Sequence, residues 1–180
     1  MKAVESLQGH LLISAPQLND PNFRRTVVLM THHDEEGAMG LVLSRPSEVR
    51  VEDALAELAD LPGAGEYVYA GGPVQPEAVV VLVEHEEEPD SPIIGRIAFM
   101  EAGTELDELA LTRARVFSGY SGWGPEQLED ELEENSWIVV PAEPDDVFAP
   151  DPDELWRTVL HRKGGKFALI ATMPFDPTLN

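Results

Sequence analysis

The sequence contains no cysteine and few basic residues. Without cysteine, disulfides, thiolate metal sites, iron–sulfur clusters and cysteine nucleophiles are excluded. Only 12 lysines and arginines stand against 34 aspartates and glutamates, and the formal net charge is −22. Because affinity for DNA and RNA comes largely from neutralised phosphates, we expect no direct nucleic-acid binding. The same charge disfavours docking on anionic membranes.

Long apolar runs are also missing. The apolar run near the N-terminus covers residues 11–13 and is followed by small residues. It is too short for a signal peptide and far too short for a membrane span. We therefore expect a cytoplasmic protein with no membrane association.

The composition that remains is that of a folded domain. Its 180 residues, 43% of them hydrophobic, suffice to bury roughly two thirds of the unfolded surface in one core. The 15 prolines and 14 glycines are spread along the chain, so they separate short elements rather than mark a linker. We expect one domain over residues 1–180.

Short apolar runs bounded by Pro, Gly or Asp predict most of the secondary structure. Strands are predicted at residues 10–14, 26–32, 40–44, 67–70, 78–84, 93–100, 115–118, 137–140 and 167–171. Helices are predicted at residues 51–61, with Ser47 as a possible cap, from Pro125, at residues 153–162 and, as a short piece, at residues 105–111. Residues 67–70 and 78–84 are expected to pair, and residues 141–152 to form an acidic loop. This pattern predicts an α+β fold: a mixed, mainly antiparallel sheet flanked by a few amphipathic helices.

The stretch FSGYSGWGPEQLEDEL, residues 117–132, predicts a glycine-rich turn between a strand and a helix. A nucleophile elbow requires glycine two places after the serine, and Trp123 stands there after Ser121. A phosphate-binding loop requires a lysine that this stretch lacks. Both catalytic explanations are therefore disfavoured. A hydrolase or transferase that uses Ser44 or Ser121 with a histidine stays open as an alternative.

Two further clusters have competing interpretations. His32, His33 and Asp34 resemble a metal site, but neighbouring residues of a strand point to opposite faces, so we expect no metal. Arg24, Arg25, Arg45 and Arg50 form an anion-binding patch or pair with the surplus acids.

Tyr120 and Trp123 are large amphipathic side chains in the glycine-rich stretch. Their rings either fill the core or line a pocket with their polar atoms facing a ligand. Gly71, Gly72 and Pro73 are expected to form another turn, which could lie beside the first in space.

Four segments resemble the YqgE/AlgH family of bacterial proteins when they are read together. They are DPNFRRTVVL at residues 20–29, GAMGLVLSRP at residues 37–46, GGPV at residues 71–74 and the FSGYSGWGPEQLEDEL stretch. Trp137 and the pair Leu155 and Trp156 follow in the family's order. Ser44 departs from the asparagine usual before the Arg-Pro dipeptide, which alters any contact made at that position. Ser121 also stands where alanine is common.

The resemblance implies an α+β protein without an assigned activity, related to a proposed regulator of transcription. It supplies no catalytic residues and implies no cofactor. Our interpretation is a non-enzymatic regulatory or ligand-binding domain that acts through a small ligand or a protein partner. An acidic module that binds a basic partner is an alternative. The expected ligand-binding residues lie in loops and are Arg24, Ser44, Arg45, Gly72, Pro73, Tyr120, Trp123 and Gln127.

Overall fold

The computed structural model describes residues 4–16, 25–62, 65, 67–101, 105 and 110–172. The strands are β1 His10–Ser14, β2 Val27–Asp34, β3 Gly37–Val42, β4 Pro46–Arg50, β5 Tyr67–Ala70, β6 Val74–His85, β7 Ile97–Phe99, β8 Leu111–Trp123 and β9 Trp137–Pro141. The helices are α1 Val51–Ala54, a 3-10 helix Ala56–Asp60, α2 Gln127–Glu133, α3 Pro144–Val147, α4 Pro152–Lys163 and α5 Lys166–Ile170. No helix among these residues is long and apolar enough to span a membrane.

Strand β8 organises the sheet, whose order is β4-β5-β8-β3-β2-β1-β9. Along one edge, β8 pairs with β6, and β6 pairs in turn with β7. Along the other edge it pairs first with β5, in parallel, and then with β3. The β5–β8 pair is the single parallel pairing among the described strands, so the prediction of a mixed, mainly antiparallel sheet is confirmed.

Alternate residues of the strands face different cores. The first core contains Leu11, Leu29 and Phe117 and is covered by α4 and α5. The second core includes Val83 and Val116 and lies under α1 and the 3-10 helix. The third core contains Leu12, Val28 and the aromatic pair Trp123 and Trp137. Leu128 of α2 packs against it.

The glycine-rich turn predicted after the strand of residues 115–118 does not form at residues 119–123. These residues continue β8, and the chain turns only at residues 124–126, where Glu126 has a φ of 66°. Helix α2 then begins at Gln127, two residues after the predicted start. A strand persists here because it has partners on both edges, which local glycine content does not reveal.

The predicted helix over residues 51–61 divides at Leu55, whose backbone is extended. The 3-10 geometry after the break places Leu58 and Leu61 on one side, where both enter the second core. Ser47 does not cap α1, since it lies in β4 and donates to the carbonyl of Val68 at 2.6 Å. The helical spacing was correct, but the continuous helix was not.

The predicted strand over residues 167–171 is instead helix α5. Gly164 and Gly165, with φ of 77° and 57°, end α4 and turn the chain back. Phe167 and Ile170, three residues apart, then pack against the first core. A short apolar run fits a strand and a buried helix equally well, so periodicity alone could not separate them.

Two smaller differences concern a loop and the strand pairing. The short helix α3 lies inside the predicted acidic loop of residues 141–152 and is stabilised by a capping box of Glu143 and Asp146. β5 and β6 both form as predicted, but each pairs with β8 instead of with the other. Most of residues 105–111, predicted as a short helix, lie outside the described residues.

Candidate functional site

The chain after β5 crosses β8 at backbone contact distance. Gly71 donates from its amide to the carbonyl of Ser118 at 2.8 Å. A Cβ on Gly72 would lie 2.2 Å from the carbonyl carbon of Tyr120, and one on Gly119 would lie 2.4 Å from the oxygen of Gly72. Gly119 also has a φ of 70°. Only glycines allow this approach, and the crossing brings residues 44–46, 70–74 and 118–121 together.

Five of the predicted site residues adjoin at this crossing. The carbonyl of Arg45 accepts a hydrogen bond from the amide of Ala70 at 2.8 Å. The Arg45 side chain donates from Nη2 to Thr26 Oγ1 at 3.0 Å. Pro73 is exposed, and the half-buried Tyr120 packs against the first core. We call this set the crossing surface, and its members are Ser44, Arg45, Gly72, Pro73 and Tyr120.

The remaining predicted residues have other positions. Trp123 is 6% exposed and packs edge-on against Trp137 in the third core, with ring centroids 6.1 Å apart. Gln127 Oε1 accepts from the amide of Gly124 at 3.1 Å, which fastens the turn before α2. Tyr120 and Trp123 therefore pack on different cores. Arg24 lies outside the described residues.

Both candidate nucleophiles, Ser44 and Ser121, form hydrogen bonds with backbone groups. Ser121 is fully buried and its hydroxyl donates to the carbonyl of Gly71 at 3.3 Å. Ser44 Oγ accepts from the amide of Val27 at 3.3 Å. Among the hydrogen bonds of the described residues, neither hydroxyl contacts a histidine. These positions do not form the serine–histidine pair that nucleophilic catalysis requires.

Arg115 is a site residue that the sequence analysis missed. Its guanidinium carbon lies 4.3 Å from the ring centroid of Tyr69. Its Nη1 is buried and has no hydrogen-bond partner among the described residues. Burial lowers the pKa of Arg115, and Tyr69 partly opposes that effect. The sequence does place Arg113 and Arg115 on one face of a strand, alternating with Phe117. It could not show which of the two arginines pairs with a carboxylate of another strand.

Arg113, two residues earlier on β8, has carboxylate partners on two sides. Its Nε and Nη2 contact the two carboxylate oxygens of Glu84, each at 2.9 Å, and its Nη1 donates to Asp145 at 2.9 Å. Thr112 Oγ1 donates to Glu84 at 2.6 Å. The hydrogen bond with Arg113 is the main reason that the pKa of buried Glu84 lies below its usual value. This network attaches α3 to the sheet.

The two adjacent histidines point in opposite directions, as predicted. The His32 side chain is 60% exposed and contacts Asp34, whereas that of His33 is 2% exposed and contacts Glu129. Within the ranges that the structure describes, no three His, Asp or Glu side chains form a group that could hold a metal ion.

Sequence comparison gives consistent relatives over nearly the whole chain. The model of a family described as AlgH-like matches residues 11–168. A protein of Streptomyces avermitilis named UPF0301 protein is 46% identical, over 100% of this chain and 98% of its own length. A UPF0301 protein of Thermobifida fusca is 40% identical, over 97% of this chain and 96% of its own length.

Two solved structures share the fold. A crystal structure of a Corynebacterium diphtheriae protein superposes with a TM-score of 0.87 at 28% identity, covering 96% of this chain and 95% of that one. The solution structure of the AlgH protein from Pseudomonas aeruginosa gives a TM-score of 0.70 at 33% identity, covering 97% of this chain and 98% of that one. The similarity to both structures extends over nearly the whole chain.

Proposed function

The chain belongs to the AlgH-like family, and we propose that it is a cytoplasmic, non-enzymatic regulatory domain that binds a small anionic ligand. Its site is the crossing surface together with Tyr69 and Arg115. The observation that carries this proposal is the buried Nη1 of Arg115, which has no hydrogen-bond partner within the described part of the chain.

A buried guanidinium nitrogen without an acceptor is costly. Loss of hydration without a replacement hydrogen bond costs about 1–3 kcal/mol, and more for a charged group. The cost is notable in a chain with 34 acidic residues, where Arg50, Arg113, Arg157 and Arg162 all have carboxylate partners. A carboxylate or phosphate of a ligand would supply the missing acceptor and charge.

The crossing surface is continuous with Arg115. The Tyr69 ring lies beneath the guanidinium, and the next residue, Ala70, bonds to Arg45. Tyr69 and Tyr120 both pack against the first core, and the Tyr69 ring also contacts the guanidinium of Arg115, so one aromatic ring borders the position where the anion would bind. Such a surface suits a small organic molecule that carries an anionic group.

Regulation, if it acts on transcription, is indirect in this proposal. The net charge of −22 opposes contact with the phosphates of DNA. A local basic site is sufficient for one small anion but not for a duplex. The ligand would instead change how the domain engages a protein partner.

The hydrolase or transferase alternative has less support. Ser121 is fully buried and Ser44 bonds a backbone amide, so neither hydroxyl is available beside a histidine among the described residues. Activation of either serine would require breaking these hydrogen bonds and moving a strand.

Amide NMR titration of the isotopically labelled chain with inorganic phosphate, and separately with citrate, tests the proposal. We expect shifts around Tyr69, Arg115 and Tyr120, and affinity about tenfold lower in Arg115→Gln because a charge-assisted hydrogen bond is lost. Arg157→Gln is the matched control, since Arg157 lies on α4 and pairs with Glu154. Equal binding by Arg115→Gln, or no binding of either anion by the unaltered chain, would refute the proposal.

A further inference from the structure

A groove of about 830 Å³ lies beside the β6–β7 hairpin. One wall is the segment of residues 85–91 that follows β6, and the other is formed by residues 98–101 at and after β7. Val83 and Ala110 complete the lining. None of the residues predicted from the sequence to bind a ligand belongs to this groove.

The groove has an apolar floor. Val83 and Ala98 are buried, and Met100 is half-buried beside them. Phe99 is 38% exposed, unusual for so large an apolar side chain. β7 pairs with β6 alone among the described strands, so the floor lies at an edge of the sheet. An apolar surface at a sheet edge is typical of protein contact sites.

The rim of the groove is acidic. Among the described residues, the exposed carboxylates of Glu86, Glu87, Glu88 and Asp90 line it, and His85 is the one lining residue that can carry positive charge. Arg96 donates from Nη1 to the carbonyl of Glu86 at 2.7 Å and holds the acidic segment against β7. The rim therefore attracts cations, and the floor below it favours an apolar group.

We propose that this groove binds a basic, extended segment of a partner protein. Lysine or arginine side chains of the segment meet the rim, and one apolar side chain between them contacts Phe99 and Met100. Charge complementarity selects a basic occupant, and the apolar floor selects a peptide over a simple polyamine or metal ion. The length of the groove walls suits several residues of chain.

This surface is independent of the anion site. Along β6, Val83 faces the second core, while Leu82, opposite Arg115 in the β6–β8 register, faces the first. Val83 and its β7 partner Ala98 therefore lie on the face of the sheet opposite to Arg115, while Phe99, paired with Leu82, reaches the groove from the edge strand. Failure of one proposal leaves the other intact, because Arg115→Gln tests the anion site and changes in the groove test partner binding.

Fluorescence anisotropy of the full chain with a labelled probe peptide tests the inference. The probe is a run of lysines around one central leucine, and a second probe has serine in place of the leucine. The groove variant combines Glu87→Gln, Glu88→Gln and Asp90→Asn. The control variant removes the same charge from exposed positions elsewhere by Glu35→Gln, Glu57→Gln and Asp130→Asn.

We expect saturable binding of the leucine probe, weakened about fivefold or more by the groove variant and by less than about twofold in the control variant. Phe99→Ser should weaken the leucine probe but not the serine probe, and raising the salt from about 0.05 M to about 0.5 M should weaken both. Equal losses in the groove and control variants would indicate general attraction to an acidic protein and overturn the inference. Absence of binding, or equal affinity for the two probes, would overturn it as well.

Discussion

His33 and Glu129, 96 residues apart in the chain, meet with Nε2 of the histidine 2.7 Å from Oε1 of the glutamate. The amide of Leu7 donates to His33 Nδ1 at 3.1 Å. Because Nδ1 accepts a hydrogen bond, the ring proton is on Nε2 and is donated to Glu129. One imidazole thus joins the N-terminal segment, β2 and α2.

Loss of the Glu129 acceptor should destabilise the protein. In Glu129→Ala, the nearly buried Nε2–H of His33 has no acceptor, and we expect the free energy of unfolding to fall by about 1–3 kcal/mol. Glu129→Gln retains a side-chain oxygen and should lose less. Urea unfolding measures both, and Asp130→Ala, at an exposed neighbouring position of α2, is the control. Equal stabilities for the two Glu129 variants would contradict the assigned hydrogen bond.

Glu84 should make stability depend on pH in the acidic range. Its pKa is lower in the folded protein than the ordinary value of 4.5, chiefly because of Arg113. The unfolded chain therefore takes up the proton first as pH falls, so the stabilisation is complete above that ordinary value and is lost as pH falls through the folded pKa. We expect the stability difference between the unaltered chain and Glu84→Gln to shrink over this interval.

Denaturant unfolding at a series of pH values measures that difference. Glu88→Gln, at an exposed position, serves as the control and should show a small difference that changes little with pH. A Glu84→Gln difference that stayed constant down to the most acidic pH would argue against a depressed pKa.

The two arginines on the same face of β8 should respond oppositely to removal of charge. Arg113→Met leaves buried Glu84 without its main partner and should cost about 3–5 kcal/mol. Arg115→Met removes a guanidinium that has an unpaired buried nitrogen, and should leave stability unchanged or raise it, while abolishing anion binding. Thermal and urea unfolding of both variants check this. A large loss of stability in Arg115→Met would indicate a structural role instead of a binding role.

The backbone crossing should not tolerate a side chain at Gly119. Alanine there combines a positive φ with a Cβ 2.4 Å from the carbonyl oxygen of Gly72. Gly164 has a similar φ of 77° but open space around its Cβ position, so Gly164→Ala measures the conformational cost alone, about 1–2 kcal/mol. We expect Gly119→Ala to be clearly more destabilising in urea unfolding. Equal costs would mean that β5 and β8 separate easily at this crossing.

Features that depend on composition and local periodicity could be predicted from the sequence. The charge, the absence of cysteine and the resemblance to the AlgH-like family follow directly from the residue types and their order. β1 and β9 lie where short apolar runs predict them, and α4 lies where amphipathic spacing predicts it. Each of these elements depends on neighbours in the chain, which is the information that a single sequence contains.

Features that depend on contacts between distant segments could not be predicted in this way, because they arise only when the chain folds. β8 continues through its glycines because β5 and β3 pair with it there, and α5 is a helix because Gly164 and Gly165 return it to the first core. The same applies to the candidate site. Arg113 and Arg115 have the same residue type and face, yet Glu84 lies opposite one and Leu82 opposite the other. Strand register, not residue type, therefore decided which of the two guanidinium groups pairs with Glu84.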